Sequence, residues 1–181
     1  MMKKIRFFAA LSALLAFAIL PGCDSLLSGT FVIDYMVYDI DITSGSEWDL
    51  FQVDLTDEDV WKDHKDEIKN IDNVGVELWI TNPTTGVQTA ELYITDYDNT
   101  GYVSATAIRQ NTDVVFDNLS AAPQTQTHID WSTSLGHVTD LNKLQTYAEL
   151  GRFAVYTITT TLPYAIEIDS ARVIVTVTVK K

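Results

Sequence analysis

The sequence predicts a mainly β fold, an antiparallel β-sandwich with two short connecting helices, and three observations carry that prediction. Runs of five to twelve residues rich in Val, Ile, Thr, Tyr and Phe recur along the chain. Apolar and polar residues alternate within several of them, as a strand with one buried face requires. Gly, Pro, Asn and Asp collect between the runs, where the chain must reverse.

The first strand candidate is Phe31 to Ile42, interrupted by Asp34, Asp39 and Asp41. Others follow at 48–55, 73–81, 87–95, 102–109, 113–117, 125–131, 152–161 and 171–179. Val74, Val76, Leu78 and Ile80 fall on one face of their strand, with Gly75, Glu77, Trp79 and Thr81 on the other. Val173, Val175, Val177 and Val179 likewise alternate with Ile174, Thr176, Thr178 and Lys180. Asn82-Pro83-Thr84-Thr85-Gly86 is expected to close a hairpin, and Asp98-Asn99-Thr100-Gly101 the next, so that three strands form a meander.

Two stretches break this pattern. Near 57–70, Thr56 is expected to cap a helix with Asp59 answering it, and Val60, Trp61, His64, Ile68 and Ile71 recur at helical spacing. Near 140–150, Asp140 is placed to cap a second helix with Leu141, Leu144, Tyr147 and Ala148 inward. Gly151 then stands where a left-handed residue ends it.

The N-terminus has a different character. Lys3, Lys4 and Arg6 precede an apolar run from Phe7 to Leu20, shorter than a comfortable membrane span. Leu20-Pro21-Gly22-Cys23 follows and resembles the lipobox of bacterial lipoproteins, with Pro21 departing from the usual small or hydroxyl residue. The resemblance implies a signal peptide at 1–22, cleavage before Cys23, diacylglyceryl on its thiol and a tether at 23–29. Membrane attachment would then rest on two or three acyl chains, which together hold far more firmly than one. It also implies a location in the cell envelope facing away from the cytoplasm, without naming the membrane. Residues 30–181 resemble, in pattern only, the immunoglobulin-like or jelly-roll-like modules of envelope lipoproteins, a likeness that implies a sandwich and no activity.

Without residues 1–22 the chain has 159 residues, 9 Lys and Arg against 25 Asp and Glu, and a formal charge of −16. That suits one domain. It argues against nucleic acid, whose phosphates such a surface repels. Cys23 is the only cysteine, so no disulfide is available and the core must hold the domain.

No nucleophile elbow, phosphate loop, dinucleotide fingerprint or His-Glu-x-x-His occurs, and the expectation is a non-enzymatic module whose partner is an envelope protein. Two ligand sites are worth carrying forward. Trp79 and Tyr93, paired across the expected hairpin with Glu77 and Glu91 beside them, would make a flat sugar-stacking platform; a plain cross-strand aromatic pair is the simpler reading. Asp96, Asp98 and Thr100 supply oxygens at alternate positions as a calcium loop begins, although Ala107 replaces the closing glutamate and the same residues make an ordinary turn. His128, Asp130 and His137 resemble the ligand set of iron(II) oxygenases, but the second histidine follows too closely.

Overall fold

The computed structural model describes residues 28–42, 46–66 and 68–180. Eight strands form two antiparallel sheets: β1 Ser28–Ile42, β2 Trp48–Asp54, β3 Ile68–Asn82, β4 Gln88–Asp96, β5 Asp113–Ala121, β6 Thr125–Ile129, β7 Arg152–Thr159 and β8 Ile166–Lys180. One sheet has the order β1-β8-β3-β6, the other β2-β7-β4-β5. First pairs with last, second with seventh, third with sixth and fourth with fifth. This is a long ladder rolled up, the jelly-roll form of the β-sandwich.

The alternation read in β3 and β8 is what builds the core. Val74, Val76, Leu78 and Ile80 are buried from one side, beside Val173, Val175 and Val177 of β8 and Ile33 and Ile40 of β1. Leu92, Ile94, Phe116, Phe153 and Val155 meet them from the β2 sheet. Each such side chain contributes about 1.5–3 kcal/mol on burial. The core leaves a void of about 20 Å³, lined only by apolar side chains such as Phe51, Leu92, Phe116 and Leu144. That is room for about one water, with no polar group to hold it.

The β2 sheet has a second small core on its outer face. Tyr93, Tyr156 and Ile158 are buried there beneath Ala105 and Ile108, with Trp48, Leu50 and Tyr102 packed around them. The covering residues belong to a helix, Ala105–Asn111, where the sequence suggests a strand over 102–109. The β-branched residues Val103 and Thr106 imitate a strand. Ser104 overrides them: its Oγ accepts from the Ala107 amide at 3.2 Å, and Ala105 and Ile108 then share one buried face.

The 57–70 helix is also corrected. Thr56 lies inside a 3₁₀ turn, Leu55–Asp57, which Asp54 caps by accepting from the Thr56 amide at 3.1 Å, and the helix that follows has Glu58 at its N-cap with no side-chain bond. Helix α1 spans only Asp59–His64, and Ile68 and Ile71 pass into β3, drawn into register with Val179 and Val177 of β8. The 105–111 helix is thus α2. Beyond Ile129, where a strand to 131 is expected, Asp130 caps a further helix, α3 Trp131–Leu135, whose Trp131 ring lies over Gly75. The last helix matches its expected bounds and caps, with Leu144 and Ala148 buried and Tyr147 partly so, but Leu141, expected inward, is exposed at its first position. Helix α4 Leu141–Leu150 has Asp140 accepting from the Lys143 amide at 2.9 Å and Gly151 at φ +76°.

The expected meander is not formed. Asn82–Gly86 carries the chain from β3 in one sheet to β4 in the other, and Asp98–Gly101 leads towards α2. Turn residues fix a reversal but not the sheet that receives the next strand. The short connections 83–87, 122–124 and 160–165 consequently gather at one end of the sandwich, where β1 also ends at Ile42 and β2 begins at Trp48. The long connections, carrying all four helices, gather at the other, where Ser28 also lies opposite Lys180.

Candidate functional site

The topology separates the expected platform. Trp79 and Glu77 lie on the outer face of the β1 sheet, whereas Tyr93 and Glu91 lie on the outer face of the β2 sheet, under α2. Tyr93 is nearly enclosed and its hydroxyl donates to Glu91 Oε2 at 2.9 Å; Arg109 reaches the same oxygen at 3.3 Å. Burial, then Glu91, pushes the Tyr93 hydroxyl pKa up. This half of the pair is structural.

The Trp79 half is different. Trp79 stacks on His128 of β6, with ring centres 4.6 Å apart and planes within 13°. Beside them, His128 Nε2 and Glu77 Oε1 are 2.9 Å apart, and Glu77 Oε2 accepts from Arg172 at 3.3 Å. Arg172 also donates through Nε to Asp34 Oδ2 at 3.0 Å, with a second bond from Nη2. The hydrogen bond to Asp34, followed by Glu77, raises the guanidinium pKa against the effect of burial, so the cluster keeps one cation between two carboxylates. Register aligns Tyr38, Ser170, Trp79 and His128 in one row across β1, β8, β3 and β6. Tyr38 is 63 % exposed, and its strand also exposes Val32 and Met36.

The end formed by the short loops is held together by buried amides. Asn82 donates to the carbonyls of Gly86 and Ala121 and accepts from the Thr84 amide and hydroxyl. Gln88 donates to Thr84 Oγ1 and to the Pro163 carbonyl, each at 3.2 Å. Thr159 bonds to the carbonyl of Thr89, and the Gln124 amide to that of Thr84. Asn82, Gln88 and Thr159 are almost fully buried, which makes these bonds strong determinants of loop shape. In sequence, the segments 43–47, 83–87, 122–124 and 160–165 contain one charged residue, Glu47, which accepts from the Tyr164 hydroxyl at 3.1 Å. The helical connections 55–67, 97–112 and 130–151 carry ten acids against four Lys and Arg.

The remaining expectations fall as follows. The 96–101 segment is a hydrogen-bonded turn, with Asn99 N donating to the Asp96 carbonyl at 2.9 Å and Thr100 N to that of Asp98 at 3.1 Å. The Asn99 amide group is itself engaged by Thr95 Oγ1 and the Tyr102 hydroxyl. Among the described residues, no group of three or more His, Cys, Asp or Glu is placed to hold a metal ion. His128, Asp130 and His137 serve three separate contacts: Trp79 and Glu77, the cap of α3, and the Asp117 carbonyl. Cys23 lies outside the described residues. Sequence reading missed Tyr38 and Arg172; for Tyr38 the available signal was the alternation of Val32, Asp34 and Met36 against Ile33, which runs as far as Tyr38 and shifts phase before the buried Ile40. The chain matches no protein-family model and no curated protein.

Proposed function

We propose that this protein is a lipid-anchored module of the bacterial envelope, non-enzymatic, which presents the loop end of its jelly roll to an envelope protein. One observation carries the reading. The chain joins the sandwich at Ser28, at the helical end, so an anchor on Cys23 leaves loops 83–87, 122–124 and 160–165 pointing away from the membrane. Five residues from Cys23 to Ser28 span at most roughly 18 Å. Strands of 15 residues then raise the loops by roughly 50 Å. Loops 83–87, 122–124 and 160–165 carry no charged residue and are held by buried amides, so a partner meets a surface already ordered there, at low entropic cost.

Membrane fractionation and mass spectrometry of the full chain against Cys23→Ser test the anchor: release of the variant and loss of the acyl mass are expected. A photo-crosslinker at Thr85 tests the presented end, with one at Glu149 as its counterpart. Unchanged fractionation of Cys23→Ser, or protein adducts confined to position 149, would end the proposal.

A further inference from the structure

We infer that the outer face of the β1 sheet binds a neutral sugar polymer, with Tyr38 and Trp79 as its stacking rings. The row Tyr38–Ser170–Trp79–His128 runs across all four strands in register. Strand spacing puts Tyr38 and Trp79 about 10 Å apart, with only the small Ser170 between them. Two flat aromatic surfaces therefore flank a shallow floor on which a pyranose ring can lie. One face of Trp79 is backed by His128, which is fixed in turn by Glu77, so that ring is oriented before any ligand arrives.

Hydrogen-bonding groups rim the row on both sides. Asp169 Oδ2 accepts from Thr81 Oγ1 and from Gln126 Nε2, both at 2.8 Å. Glu77, Arg172 and Asp34 line the other side. Carboxylates, an amide, hydroxyls and a guanidinium beside the exposed Tyr38 and the half-buried Trp79 are the donors and acceptors that a polyol requires, a few placed polar groups around an apolar surface. The charge balance restricts the class. Arg172 is already flanked by two carboxylates and the chain is strongly acidic, so uronic-acid and phosphate polymers are repelled. This face is separate from the loop end, and the inference stands whether or not Cys23 is acylated.

The test uses the full chain in detergent and calorimetric titration with hexasaccharides of β-1,4-glucose, α-1,4-glucose, β-1,4-mannose and β-1,4-xylose. Binding to at least one is expected. Tyr38→Ala weakens it by about tenfold, the loss of one stacking surface. Ser170→Leu fills the floor and removes binding while circular dichroism stays native. Because Trp79→Ala can disturb the sheet, the exposed Tyr38 and the part-buried Ser170 carry the decision. No binding to any of the four sugars, or binding unaffected by both variants, overturns the inference. Concentration-dependent dimerisation abolished by Tyr38→Ala also overturns it, assigning the face to a second copy of the chain.

Discussion

Gly151 ends α4 at φ +76°, and the space its missing side chain leaves is taken by a neighbouring element. A Cβ there would stand 2.7 Å from Trp61 Cζ2 and 2.9 Å from Thr56 Cγ2. Its carbonyl cannot retreat, because it accepts the Leu55 amide at 2.8 Å and so ties α4 to the 3₁₀ turn. Gly151→Ala therefore meets two costs. The left-handed conformation costs roughly 1–2 kcal/mol for a residue with a Cβ. Forcing atoms against the buried Trp61 ring adds about 1–3 kcal/mol. The sum, about 2–5 kcal/mol, is a large share of a domain's 5–15 kcal/mol. At about 2–4 °C per kcal/mol for this size, thermal unfolding followed by circular dichroism should fall by roughly 5–20 °C. Gly86→Ala is the control, since no atom lies within 4 Å of its Cβ position. A midpoint for Gly151→Ala within about 2 °C of the parent chain would refute the reasoning.

Asn82→Ala strips the loop end of four hydrogen bonds from a buried side chain and should cost about 1–3 kcal/mol, with faster amide exchange at Thr84; unchanged protection there would contradict the amide scaffold. Gly75→Ala puts a Cβ 2.7 Å from the Trp131 ring and should shift the Trp131 indole resonance; an unmoved resonance would mean that the ring does not rest on the strand. Arg172→Met removes partly exposed ion pairs and should change stability by less than about 1 kcal/mol in a denaturant titration, so a larger loss would show the pairs to be less screened than their exposure indicates. The Ser132 hydroxyl, then the Thr133 amide, hold the Asp130 carboxyl below its usual range. Its folded pKa being depressed, its contribution is present above the usual aspartate value of about 3.9 and is lost as pH falls through the folded value. Ser132→Ala should move its NMR titration upward; an unmoved curve would discount that hydrogen bond.

What was legible in the sequence was what depends on neighbours along the chain. Alternation in Val74 to Thr81 and Val173 to Thr178 reports a buried face directly, and Asp140 with Gly151 brackets a helix because both signals are local. Assignment of strands to sheets was not legible. Asn82–Gly86 has the same turn residues whether β4 returns beside β3 or crosses to face it, and that one ambiguity separated Trp79 from Tyr93. Contacts such as Arg172 with Asp34 and Glu77 join residues far apart in sequence, and only the wound topology brings them together. Helix α2 failed for a local reason, since β-branched residues outweighed a serine cap in the reading but not in the chain.

The central place of β8 bears on how such a chain could be made. β8 follows the other seven described strands in chain order, yet it lies between β1 and β3 and supplies the hydrogen-bonding partner of each. A polypeptide crossing a membrane N-terminus first would deliver β1 and β3 with no strand between them. Their inward residues, Ile33, Val74 and Val76 among them, would wait uncovered until the final fifteen-residue segment had emerged. Non-local pairing of this kind is slow, and unpaired strand edges invite aggregation in the interval. Pairing of β8 would thus close this sheet, and a chain cut short before Ile166 would lack the strand that β1 and β3 share.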